Sequence, residues 1–259
     1  MSLILIDERS LINILLVLTT LSFSQSIGND SLYYWGGIVN KDGALVIDFK
    51  KIDNTSGIYN IKKISDFKKY SKGDAGDASF FTIPKADVAN LVTSKQLEEA
   101  DYGDCYLAVY AVYDNLYGLI GYGAKAIDEG DIQPSFTAMV KNGPKKIEFK
   151  NLPDGFPEAS KKLLEQYFTF PQTCEGGFSN IIFGMNHEGV TDAVCHPNTK
   201  IPDDTSKCAD GSKPKYYLKG YKYATFYDVD AAGLKDLLTR FGPVLILSGP
   251  KLSYYDHIK

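Results

Sequence analysis

Two adjacent glycines stand behind a cysteine and ahead of an apolar run of helical spacing in Cys174-Glu175-Gly176-Gly177-Phe178. With no Cβ atoms, such a pair lets a substrate backbone approach closely, and it equally suits a tight turn into a helix. The cysteine is one of four, with Cys105, Cys195 and Cys208. Bridged in an oxidising compartment, four cysteines allow three pairings, and the spacing alone leaves all three open. None lies in a C-x-x-C arrangement, and His187, His196 and His257 form no i, i+4 pair, so neither a metal site nor a cofactor is expected.

A chain of 259 residues that is 44% hydrophobic is long enough to bury a proper core. Its net charge of -4 is spread along the length, with no basic block, so nucleic acid is not an expected partner. Residues 11–21 are a short apolar run followed by Ser22, Ser24 and Ser26, which reads as a secretory signal over 1–26 and is too short for a stable membrane anchor. Asn29-Asp30-Ser31 and Asn54-Thr55-Ser56 fit the glycosylation acceptor pattern. Secretion, or delivery to a lysosome or vacuole, is the expected destination.

Short runs at Leu32 to Ile38, Ala44 to Phe49 and Ile58 to Ile61 lie between Gly, Asn and Asp turns and predict antiparallel strands. The polar, Gly-rich stretch from Lys69 to Ser79 predicts a linker. The expected division is therefore a strand-rich segment over 27–85 and a larger domain over 86–259. Beyond Asp104, Tyr106, Val109, Tyr110, Tyr113 and Leu116 recur at helical spacing, with Asp104 able to cap the first turn. Residues 117–150 return to Gly-rich and short apolar runs. Further helices are expected over Pro157 to Phe168, Gly177 to His187 and Asp230 to Arg240, with a Tyr-rich strand over Lys215 to Tyr227 and another from Val244 to Leu247.

Taken in order, Tyr102-Gly103-Asp104-Cys105-Tyr106, Cys174-Glu175-Gly176-Gly177, the Tyr-rich strand and Gly242-Pro243-Val244 resemble the papain family of cysteine peptidases, most closely its dipeptidyl peptidase I (cathepsin C) branch. The resemblance implies an α+β fold: a papain-like helical lobe, an incomplete β-rich second lobe and the short strand-rich N-terminal segment. It implies peptide or protein substrates, cleaved by thiolate attack and an acyl-enzyme. The family's C-G-S-C-[WY] signature places its nucleophile at Cys105, for which the bland reading is a small buried residue at a helix start. Six residues earlier, where the family uses a Gln to stabilise the oxyanion, stands Glu99, and Asp104 precedes the nucleophile where Ser is usual.

Gly176 and Gly177 match the glycines that align the substrate backbone. In the family the first Cys of C-G-S-C bonds to the Cys of C-x-G-G; with Tyr102 at that first position, Cys174 lacks its usual partner. Cys195 and Cys208 resemble another family bridge. The branch's C-F-P-Y segment reads Cys195-His196-Pro197-Asn198 here, without the Tyr that shapes the S2 region, and an insertion is expected within 117–155. The catalytic His and Asn of the family follow the Gly-Pro-Val strand, whereas His257 comes too soon after it. The expectation is a peptidase homologue inactive as an isolated chain. The alternatives are a secreted peptide-binding or inhibitory pseudoenzyme and an enzyme completed by a second chain that supplies the missing lobe.

Overall fold

The structure, a computed structural model, describes residues 30–51, 59–70, 81–152, 154–159, 162, 170–175 and 178–246. The chain is α+β: two small sheets and a helical layer that shares its core with one of them.

The first sheet has the order β4-β1-β6, with β1 (Ser31–Trp35) between β4 (Tyr59–Lys63) and β6 (Ala224–Thr225), both antiparallel to it. Its alternation puts Leu32 inward, 2% exposed, where it joins Ile64 and Leu237. Leu237 comes from the C-terminal helix (Ala231–Phe241), whose first turn is capped by Asp230 Oδ1 accepting from Gly233 N at 2.8 Å. Phe67 and Phe241 meet edge-on with ring centroids 5.1 Å apart, which closes that cluster.

In the second sheet β3 (Ala44–Asp48) lies between β2 (Ile38–Val39) and β5 (Lys146–Lys150). The β2–β3 turn is set by Asn40, whose Oδ1 accepts from Asp42 N and Ala44 N, both at 2.9 Å. β3 pairs with β5 in parallel, Ala44 with Lys146 through Asp48 with Lys150, which requires a long crossover. That crossover carries α1 (Lys85–Val88), α2 (Glu99–Tyr102), α3 (Tyr106–Tyr113), α4 (Leu116–Asp128) and α5 (Phe136–Asn142). Strands from within the segment 27–85 thus pair with strands from the later region in both sheets.

The helical core gathers Leu107, Ala108, Ala111, Leu116, Ile120, Phe136, Met139 and Ile181. Ile182 and Phe183 of α6 (Phe178–Glu188) turn instead to Leu45 and Ile47 of β3, so α6 joins the helical layer to the second sheet. The last helix, Ala231–Phe241, is α7. Burying each Leu or Ile here contributes about 1.5–3 kcal/mol relative to exposure.

Three expectations change. The Gly-rich run from 117 is helix α4, in which Gly121 serves packing: a Cβ there would stand 1.9 Å from Thr93 Oγ1. The tyrosines of α3 face solvent, with Tyr106 53%, Tyr110 43% and Tyr113 70% exposed, while Leu107, Ala108 and Ala111 form the inward face. The strand expected over Lys215 to Tyr227 is reduced to β6 and an isolated bridge of Tyr217 to Val190, and residues 243–246 are not strand. Helix α6 ends at Gly189, as the position of that glycine led one to expect. Leu163, Leu164 and Tyr167 of the helix expected over Pro157 to Phe168 lie outside the described residues.

Candidate functional site

The site is assembled by a short helix and a turn. In α2 the Glu98 side chain caps the first turn while Asp101 Oδ2 accepts from Glu98 N at 2.8 Å, a reciprocal capping box. The helix stops at Gly103, whose φ is +50° and whose N donates to Glu99 O at 2.7 Å. The chain then folds back, with Cys105 N donating to Tyr102 O at 3.1 Å, and enters α3. Cys105 is the N-cap residue of α3, and it makes no side-chain cap. Asp104, expected to cap, is exposed.

Cys105 Sγ is bonded to Cys174 Sγ, with the two Cα atoms 4.8 Å apart. The crosslink continues into the backbone, since Leu107 N donates to Cys174 O at 2.7 Å. Cys105 is 1% exposed, and Tyr102 and Cys174 pack against the same helical core. A disulfide sulfur has no proton to lose and cannot act as a thiolate, so the expected nucleophile at Cys105 is corrected for the oxidised protein. Cys174, expected to be without the partner usual in the papain family, is bonded to Cys105 instead. Glu99, at the first position of α2, has an exposed side chain. Gly176, Gly177 and His257 lie outside the described residues.

The second bridge joins Cys195 to Cys208 and closes a loop stitched by Ala209 N donating to Cys195 O at 2.9 Å. Within it, the segment that parallels C-F-P-Y has a structural task. Asn198 is 3% exposed; its Oδ1 accepts from Phe136 N at 2.7 Å and its Nδ2 donates to Pro134 O at 2.9 Å. Ser135 Oγ donates to His196 O at 2.6 Å and Thr137 Oγ1 to Pro197 O at 3.0 Å, so the loop clamps the N-terminus of α5. His196 is 3% exposed, and its Nε2 is buried without a hydrogen-bond partner among the described residues. Desolvation pulls its pKa below the usual imidazole value, against the opposing effects of a hydrogen bond with the Thr205 backbone and of the Asp204 charge.

Among the described residues no group of His, Cys, Asp or Glu is placed to hold a metal ion, and no helix is long and apolar enough to cross a membrane. Two disulfides are the chemistry of an oxidising compartment. The sequence alone did not single out the Cys105–Cys174 pair, because four cysteines allow three pairings and spacing does not choose among them. No protein-family model, curated protein or solved structure matches the chain.

Proposed function

We propose that the chain is a papain-like cysteine-peptidase homologue that does not hydrolyse peptides and acts as a peptide-binding or inhibitory module of the secretory pathway, secreted or in a lysosome-like compartment. The observation that carries this reading is the bond between Cys105 and Cys174. In the family that the sequence resembles, the cysteine bonded to C-x-G-G is the first of the C-G-S-C pair, and the nucleophile is the second. Cys105 then occupies the first position, three residues before the nucleophile.

Read in that register, Tyr102-Gly103-Asp104-Cys105-Tyr106-Leu107-Ala108 puts Ala108 at the nucleophile and Tyr102 at the oxyanion Gln. A methyl group has no lone pair with which to attack a carbonyl, so no acyl-enzyme can form. Ala108 is also 1% exposed. The same register removes Glu99 from the oxyanion position. A second chain supplying His and Asn would not restore hydrolysis, because a base has nothing to activate at Ala108. Peptide affinity does not require the thiolate, and the Gly176-Gly177 pair retains the backbone chemistry for it.

The test is exposure to a peptide vinyl sulfone and to a panel of fluorogenic peptides, before and after mild reduction, with peptide mapping of the label. The oxidised protein should take no label and turn over no substrate, and reduction should expose Cys105 and Cys174 without preference. Turnover, or labelling confined to Cys105, would sink the reading. Saturable binding of uncleaved blocked peptides, measured by fluorescence anisotropy, is expected of the binding role; its absence across the panel would reject that role.

A further inference from the structure

A polar cavity of about 550 Å³ opens between the β2–β3 turn, the last turns of α5 and α6, and the loops around 204–206 and 213–216. Its volume lies within the roughly 300–1,000 Å³ common for small-molecule sites. Four lysines line it, Lys41 from the turn, Lys141 and Lys145 from the end of α5 and the chain beyond, and Lys213 from the opposite loop. None of the four forms an ion pair among the described residues. Three carboxylates also line it, Asp42, Glu188 and Asp204, one fewer than the lysines; Glu188 is 2.8 Å from Lys219 Nζ, and Asp204 accepts from Ser206 N at 2.8 Å and Ser206 Oγ at 2.6 Å.

One further feature favours an anion. Gln172 Nε2 donates to the carbonyls of Val140 at 3.3 Å, Lys141 at 2.8 Å and Gly143 at 3.1 Å. The end of α5, where carbonyl oxygens would otherwise repel an anion, is thereby covered. The rim is held in place by Lys145 N donating to Gly43 O at 2.8 Å and by the Asn40 turn.

We propose that this cavity binds a small multivalent anion of the phosphate-ester class. Separate lysine ammonium groups suit phosphoryl oxygens, which spread charge over several acceptors and are bound well by point charges. The volume of about 550 Å³ suits a small ligand.

Sodium pyrophosphate titrated calorimetrically into the whole oxidised chain tests this. A saturable one-to-one isotherm is expected, weakening with added salt because the attraction is between exposed charges. The double variant Lys141→Ala/Lys145→Ala should weaken binding by about tenfold or more, and Asn142→Asp should weaken it as well, by adding a negative charge to the lining. Lys95→Ala, at an exposed lysine outside the cavity, should leave it unchanged. Circular dichroism of each variant separates loss of binding from loss of fold. No saturable heat with wild-type protein, or affinity undiminished in a folded double variant, would overturn the proposal.

Discussion

Asn198 and His196 stand two residues apart in one loop and show how neighbouring polar side chains are settled by different means. Asn198 is buried with both ends of its amide engaged, so its desolvation is offset by hydrogen bonds to Phe136 N and Pro134 O. His196 is buried with Nε2 unpartnered, and desolvation depresses its pKa. A group whose folded pKa lies below its unfolded one binds more protons when unfolded. The stability it supports is present above the unfolded value of 6.5 and is lost as pH falls through the folded value. Unfolding free energy is therefore expected to decline as pH drops below about 6.5, with His196→Gln flattening that decline, as followed by urea denaturation at a series of pH values. An unaltered slope in the variant would show that other groups govern the acid limb. Neither fate could be read from the residues: Cys195-His196-Pro197-Asn198 showed only that the Tyr of the family's segment is absent, and the position of α5 beneath it reveals a clamp.

Among the elements, α6 and α7 announced themselves. A glycine after the last turn of α6 and an aspartate before the first turn of α7 are local signals, and local chemistry is what sequence displays. Helix α3 shows the limit of periodicity. Tyr106, Tyr110 and Tyr113 share a face at helical spacing, yet the inward face is the one with Leu107, Ala108 and Ala111, because small side chains allow the close packing that tyrosine rings would prevent. The glycines of α4 and α6 tell the same story. A Cβ on Gly184 of α6 would stand 1.8 Å from Met139 O of α5, a contact with backbone that no rotamer change relieves. Gly184→Ala is expected to force α5 and α6 apart and to cost about 1–3 kcal/mol or more, as overpacked cores do. A thermal or chemical denaturation midpoint equal to wild type would contradict the packing described.

Across the whole molecule, the Cys105–Cys174 bond spans 69 residues that include α4, α5 and β5. Crosslinking a loop of that length restricts the unfolded chain, and its removal is expected to cost about 2–5 kcal/mol. Cys174→Ser paired with Cys105→Ser avoids a leftover thiol that could mispair. Its denaturant midpoint should fall with far-ultraviolet dichroism retained below the transition, and an unchanged midpoint would mean that the bond constrains little. The Cys195–Cys208 bridge closes 13 residues and should matter less to global stability than to the α5 clamp.

What the sequence determined by itself is what depends on neighbours along the chain: the mixed α+β class, the capped ends of α6 and α7, the strands at 31–35, 44–48 and 59–63, and a cysteine content suited to oxidising surroundings. Tertiary structure decided what depends on partners far apart. It chose one cysteine pairing among three, set β3 parallel to β5 across a crossover that carries α1 to α5, and turned the tyrosines of α3 outward. It also brought four lysines from three stretches of chain around one cavity. The physical reason is common to these cases. Caps and turns are stabilised within a few residues, whereas pairing, facing and enclosure are fixed by close packing and burial, whose participants sequence order does not name.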